Sequence, residues 1–294
     1  MQYTPVCQGL SGSPRRLAPD GAIGYGLLMR APDWTIHATV PYSLLEHPET
    51  VRLLAENGVG PEIYLPATAL DALTPGRAEA VAASLSDGGV ASATFHAPFE
   101  DLWPGARDEE ARRLAVRRLK QAIALAPAFR PKGIVIHGGY YGWIFDFDPG
   151  KWIEPARRTF GDLLEDAEKK GVDLFLENVF DESPDPLLRL RNALGSKRLG
   201  FCFDAGHATL FSDLPVHKWL EAFGADLREL HLHDNRGRRD DHLPVGEGTI
   251  NLLGVLQAAS DAGASPILTL EAHRMEHFHR GLAALRALLD GARR

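Results

Sequence analysis

Cysteine is scarce in this sequence: Cys7 and Cys202 are the two present in 294 residues. Two thiols cannot build the disulfide framework of a small secreted domain, and Cys202 lies inside an apolar run. Both are read as reduced and the protein as cytoplasmic. Long apolar runs are missing as well. The stretch AIGYGLLM (22–29) falls well short of the roughly 20 residues a spanning helix needs, so no membrane partner is expected. Positive charge is not in excess. The formal net charge is −7, so no broad cationic surface announces nucleic acid, although a local basic rim inside an acidic protein stays compatible with DNA. Several catalytic signatures are absent too. There is no phosphate-binding glycine loop and no HExxH, and HGGYY (137–141) has no G-x-S-x-G partner. Nucleotide hydrolysis on a P-loop and acyl transfer on a serine elbow are thereby excluded.

What is present is an ordinary globular composition, 45% hydrophobic and 24% charged. Short β-type runs alternate with long helical patterns. The strands are expected at TIHATV (35–40), PEIYLP (61–66), ASATFHAPF (91–99), GIVIHGG (133–139), VDLFLEN (172–178), LGFCFDAGH (199–207), LRELHLHDN (227–235) and SPILTLEAH (265–273). Helices are expected between them, for example over 107–127, 152–170 and 250–262. A glycine just before a strand, as in EKKGVDLFLE, marks the usual helix stop. Eight βα units in roughly 260 residues fit an α/β fold of the single (β/α)8 barrel type, which takes about 250 residues. A doubly wound sheet is the rival, but no glycine-rich turn follows the first strand. No proline- or serine-rich linker divides the chain. The barrel is therefore assigned to 31–294, with 1–30 an N-terminal extension in which Met29 is an alternative start.

In such a barrel the C-terminal strand ends surround the active site. Strand three ends in His96, strand four in His137, strand five in Glu177 and Asn178, and strand six in Asp204 and His207. Strand seven ends in His231, His233 and Asp234, and strand eight in Glu271. One strand-end carboxylate is commonly a helix cap and one buried histidine commonly a satisfied core residue. Six consecutive strands ending in metal-ligand types are hard to explain that way. Carboxylates crowded at one mouth repel each other and lose hydration, a penalty a divalent cation removes. His231 and His233 share one strand face, so one suffices as a ligand while the other orients it. On the following loop, Asp240 and His242 alternate in a way that brings both side chains to one side of an extended segment, whereas Asp241 reads as solvated. Carboxylates and imidazoles without thiolates suit zinc, manganese, cobalt or magnesium.

The segments FHAPF, VIHGG, LENVFDE, CFDAGH, LHLHDN, DDHLPVGEG and LTLEAH, in that order, resemble the xylose isomerase-like TIM barrel superfamily. It holds sugar isomerases and epimerases and the endonuclease IV class of apurinic-site nucleases. The isomerase and epimerase pattern implies one divalent metal on Glu177, Asp204, His231 and Glu271, with Glu177 and Glu271 also serving as acid and base. The metal would stabilise an enediolate formed by proton transfer beside a carbonyl. Under that pattern His96, His137 and His207 hold substrate hydroxyls. The loop arginines Arg236, Arg238 and Arg239 would clamp a phosphate or carboxylate, and Phe99, Trp103 and Trp143 would wall the pocket, although loop arginines and barrel-loop aromatics also commonly serve as solvated or packing residues. The nuclease pattern implies three zincs on nine ligands, and every one has a counterpart: His96, His137, Glu177, Asp204, His207, His231, Asp240, His242 and Glu271.

Other residues depart from the nuclease pattern. DAGH (204–207) stands where those enzymes carry Asp-Thr-Cys-His, GGYY stands where they carry Pro-Gly-Ser, and Glu100 and Asp101 would repel phosphates. DHLPVGEG (241–248) resembles the sugar phosphate isomerase/epimerase group more closely. The expectation is therefore a metal-dependent sugar or sugar phosphate isomerase or epimerase with a small carbohydrate substrate. Apurinic/apyrimidinic DNA cleavage is the alternative, and DNA is a partner only under it. A metal-binding barrel without catalysis ranks third. A homo-oligomer is compatible with all three.

Overall fold

The computed structural model describes residues 34–272 and 274–292. The extension assigned to 1–30, the alternative start at Met29 and the thiol of Cys7 lie outside the described residues. Eight strands close into a barrel in sequence order: β1 (Ile36–Pro41), β2 (Gly60–Tyr64), β3 (Thr94–His96), β4 (Ile134–His137), β5 (Leu174–Glu177), β6 (Leu199–Asp204), β7 (Leu227–Leu232) and β8 (Ile267–Leu270). Every pairing is parallel, and β8 closes on β1 through His37↔Thr269 and Ala38↔Leu270. The single (β/α)8 barrel read from the sequence is the fold, and the doubly wound sheet is excluded.

Seven of the eight strands are shorter than the apolar runs that announced them, and β1 keeps its six residues with its bounds moved by one. ASATFHAPF keeps Thr94–His96 in the ladder, because Pro98 has no N–H to donate. LGFCFDAGH is strand only to Asp204. The Asp204 carboxylate accepts the His207 N–H at 2.6 Å and starts the helix Ala205–Phe211, so His207 belongs to a helical first turn rather than to the strand end. Likewise β7 stops at Leu232, with His233 and Asp234 just beyond it.

The outer helices bury one face each. The helix Pro149–Lys170 opens on Asp148, whose side chain accepts the Gly150 N–H, and closes on Gly171 at φ +67°. It buries Trp152, Ala156, Phe160, Leu163 and Ala167 at helical spacing. Each large side chain so buried contributes about 1.5–3 kcal/mol against exposure. Among the described residues no helix is long and apolar enough to cross a membrane. Cys202 is a buried thiol on β6.

The barrel interior is polar in two layers. Deep inside are His37, Thr94, Glu229 and Thr269, all buried. Above them, at the C-terminal ends of the strands, lie the residues singled out from the sequence.

Candidate metal centre

The four residues of the isomerase pattern converge. His231 Nδ1 lies 3.3 Å from Glu177 Oε1, 3.7 Å from Glu271 Oε2 and 3.8 Å from Asp204 Oδ2. To one side, His96 Nε2 and His137 Nε2 lie 3.2 and 3.1 Å from Glu177 Oε2. To the other, His207 Nε2 and His242 Nε2 lie 3.3 and 2.9 Å from Asp240 Oδ2. The barrel thus brings all nine residues of the nuclease pattern into one connected cluster. The side chains of Glu177, Asp204 and His231 are buried, and Asp240 remains partly open at the rim.

The backbone aims the imidazoles. His96 Nδ1 donates to the Ala97 carbonyl at 2.9 Å and His207 Nδ1 to the Asn178 carbonyl at 3.0 Å. Each Nε2 is thereby directed at a carboxylate, Glu177 for His96 and Asp240 for His207. His231 is turned the other way. Its Nε2 sits 2.9 Å from Glu62 Oε2, and Glu62 in turn accepts from Thr39 at 2.8 Å. Asn178 ties β5 to β6, donating to the Asp204 carbonyl and accepting from the Asp204 N–H, both at 2.9 Å.

The loop after β7 folds back because Asp234 accepts from three N–H groups, those of Asn235, Gly246 and Ile250. The Asp234–Leu243 bridge closes it. Gly248 is needed there: a Cβ would lie 2.2 Å from Asp234 Oδ1. The segment around Asp240 and His242 is not extended throughout, because His242 takes a left-handed φ of +44°. That left-handed strain in a non-glycine residue delivers its ring back over Asp240.

Electrostatics follow from burial and crowding. Burial opposes ionisation of Glu177, but His137 and His231 hold it well below the usual carboxylate range. Asp204 is burdened by burial too and is lowered by His207 and His233. Glu271 goes the opposite way, pushed up chiefly by burial. His96 resists burial and rises to about 9 beside Glu177.

Four buried polar atoms in this cluster make no hydrogen bond: Glu177 Oε1, Glu271 Oε2, His231 Nδ1 and His233 Nδ1. An unmet buried polar atom costs about 1–3 kcal/mol. With Nε2 hydrogen-bonded to Glu62, His231 Nδ1 faces three carboxylate oxygens 3.3–3.8 Å away. Burial opposes its charge, but Cys202, Glu62 and Glu177 hold His231 well above the ordinary imidazole range, so a cation seated among these oxygens would displace the Nδ1 proton. Three carboxylates and one imidazole form a donor set for a divalent ion that accepts oxygen. Glu177, Asp204, His231, and His96, His137, Glu177 also qualify as compact ligand groups on distance alone.

The other expected contributors vary. Phe99 stacks on His137 with centroids 4.5 Å apart, and Trp103 stacks on Tyr141 at 5.3 Å, both at the mouth. Trp143 is largely exposed. Arg236, Arg238 and Arg239 are exposed on the loop, with Arg239 Nε 3.8 Å from Asp241 Oδ1. Asp241 is therefore half-buried and paired rather than simply solvated. A cavity of about 380 Å³ opens beside His96 and Glu271, walled by Val40, Leu44, Tyr64 and Phe278.

Glu62 was missed by the sequence reading. It lies in the middle of PEIYLP, away from the strand end, and its sole outward sign was a carboxylate in a strand expected to be buried on both faces.

The chain belongs to the family described as xylose isomerase-like TIM barrel, whose model matches residues 52–290. Within it, the chain is 32% identical over 183 residues to Uncharacterized protein MJ1311 of Methanocaldococcus jannaschii, covering 60% of this chain and 62% of that one. It is 28% identical over 171 residues to fructoselysine 3-epimerase of Shigella flexneri, covering 56% and 60%. It is 27% identical over 161 residues to a probable endonuclease 4 of Mycobacterium leprae, covering 51% and 61%. These matches span about three fifths of each relative's length. Among solved structures, a D-tagatose 3-epimerase-like protein superposes with a TM-score of 0.75 at 26% identity, covering 88% of this chain and 98% of that one. The TTHB071 protein of Thermus thermophilus, soaked with ZnCl2, gives a TM-score of 0.69 at 29% identity, covering 87% and 98%.

Proposed function

We propose that this protein is a divalent-metal-dependent isomerase or epimerase of a small sugar or sugar phosphate. The observation that carries this reading is the convergence of Glu177, Asp204, His231 and Glu271 around unpaired buried atoms. Similarity to a D-tagatose 3-epimerase-like structure and to fructoselysine 3-epimerase supports the substrate class.

Glu177, Asp204, His231 and Glu271 would hold a divalent cation, which when bound would supply Lewis-acid polarisation of a substrate carbonyl and its neighbouring hydroxyl. Glu177 takes the proton from the carbon beside the carbonyl. Glu271 delivers a proton to the other face for epimerisation, or to the neighbouring carbon for isomerisation. Glu62 holds the proton on His231 Nε2, keeping Nδ1 turned towards the centre. His96, His137 and His207 line the same mouth and orient hydroxyls, and Phe99 and Trp103 exclude water from one wall. Arg236 and Arg238 reach a phosphate when the substrate carries one.

The test is hydrogen exchange. Protein loaded with manganese, cobalt, zinc or magnesium is incubated in D2O with ketoses, aldoses and their phosphates. Deuterium entering the carbon beside the carbonyl, and no entry with Glu177→Gln, is the expected result. A panel with no exchange under any of the metals overturns the reading.

A second reading, cleavage of DNA at abasic sites, is favoured by one observation: all nine residues of the nuclease pattern meet in the cluster. Zinc-loaded protein that cuts an abasic duplex while exchanging no sugar proton would replace the first reading with this one. The acidic Glu100 and Asp101 on the loop after β3 weigh against it.

A further inference from the structure

The mouth is covered unevenly. β1 ends at Pro41 and passes directly into the short helix Tyr42–Leu45 and then the helix Pro48–Glu56. β8 ends at Leu270, and the last helix starts at Met275. Between these two sets of elements lies the cavity of about 380 Å³, which reaches from His96 and Glu271 to both helices. Its size falls within the roughly 300–1,000 Å³ of small-molecule pockets.

Its wall is mostly apolar. Val40 of β1, Leu44, Leu53 and Leu54 form part of it, and Met275 and Phe278 of the last helix form another part. Leu44 is 41% exposed and Met275 50%, so large apolar side chains face space rather than packed neighbours. An apolar group placed there would release their surface from water. The polar groups of the wall are already engaged. Thr39 donates to Glu62 at 2.8 Å. His96 Nδ1 donates to the Ala97 carbonyl, and its Nε2 faces Glu177. The Tyr64 hydroxyl donates to Glu100. Arg274 shares the wall with Glu100 and Glu271, and none of Arg236, Arg238 and Arg239 lines it. A phosphate would meet no basic cluster there, and sugar hydroxyls would meet few partners.

Resting on the isomerase or epimerase reading of the mouth, we propose that this cavity receives an alkyl or aryl substituent of the substrate, which is then a sugar conjugate rather than a bare sugar. Glu271 lines the cavity and also stands 3.7 Å from His231 Nδ1, so the wall is continuous with the ligand cluster. The substituent lies along Leu44, Leu53 and Phe278 while the carbonyl end of the sugar reaches the cluster. Its burial supplies binding energy remote from the reacting carbon and holds that carbon against Glu271.

The test uses a series of 6-O-alkyl-D-fructoses from methyl to hexyl, which keep the C2 carbonyl free. Calorimetry on manganese-loaded protein measures their binding, and deuterium uptake from D2O measures turnover. A buried methylene is worth about fourfold in affinity. The hexyl sugar should bind at least about thirtyfold more tightly than the methyl sugar, with a more negative heat capacity change, and kcat/KM should rise by a like factor. Leu44→Gln and Met275→Gln alter exposed positions, so both should fold, which circular dichroism checks. Each should cut the hexyl preference at least about fivefold and leave binding of the methyl sugar unchanged. Flat binding across the series, or a preference that both variants leave intact, overturns the proposal. So does a dimer, seen by sedimentation, that Leu44→Gln dissolves while binding stays flat, because a second copy would then cover the wall. Failure of the isomerase reading looks different: the hexyl preference in binding stands, and no member of the series takes up deuterium.

Discussion

Two layers of histidine and carboxylate lie one above the other inside this barrel, and they answer their burial in opposite ways. In the deep layer, His37 Nδ1 meets Thr94 at 3.0 Å and its Nε2 meets Ser92 at 2.9 Å. Glu229 accepts from Thr94 at 3.1 Å and also from Thr269. Burial pushes His37 down to about 4, and burial with the Glu62 charge pushes Glu229 up to about 8. Both are neutral at pH 7. In the upper layer, Glu177 and Asp204 are held ionised by the histidines around them, and four buried polar atoms make no hydrogen bond. Burial of an ionisable group therefore does not mark function. What marks the mouth is ionised carboxylates gathered among histidines with buried atoms left without a hydrogen bond, a geometry that a cation would complete.

The comparison can be broken most forcefully at Glu177. Glu177→Gln should lower proton exchange by about 10³-fold and remove one bound ion, with the fold intact. Exchange assays and elemental analysis read both effects.

The deep layer should respond to pH instead. His37 has a folded value of about 4, below its ordinary 6.5, so the folded state binds fewer protons. Its contribution to stability is present above pH 6.5 and is lost as pH falls from 6.5 towards 4, by about 3 kcal/mol in all. Denaturant melts across that window should show this fall in wild type and a flatter profile in His37→Asn.

Glu62 joins the layers, and its effect should be intermediate. Glu62→Gln leaves His231 without an ionised acceptor, so ion affinity should drop about 10–100-fold while the fold holds. Competition against a chromophoric chelator measures it. The smallest effect belongs to the rim. Arg238→Ala should raise KM for a phosphorylated substrate about fivefold and leave that for the unphosphorylated sugar unchanged, since exposed ion pairs are worth about 1 kcal/mol or less. Equal changes for both substrates would remove the arginine loop from the site.

Much of this was legible in the sequence. Strand order and barrel closure followed from alternating β and α patterns, and the polar residues that gather at the mouth stand at the ends of those apolar runs. His207 was read on a strand because LGFCFDAGH is apolar nearly to its end, and the capping role of Asp204 competes with that pattern only once the chain turns. Glu62 was hidden for a different reason. A residue that acts through another has no periodic signature, and its partner His231 is 169 positions away. The left-handed backbone at His242 lies in a loop that Asp234 gathers through three N–H groups, a contact set that no local pattern encodes.

The most direct measurement is divalent ion content per chain, by elemental analysis of protein purified without chelator, paired with a melting scan after metal is stripped and restored. The account expects at least one bound ion, and a melting temperature that falls on stripping and recovers on restoration, reflecting about 2.7 kcal/mol of stabilisation at a hundredfold excess over Kd. Protein that carries no divalent ion, and whose melting temperature zinc, manganese, cobalt and magnesium all leave unmoved, would contradict it.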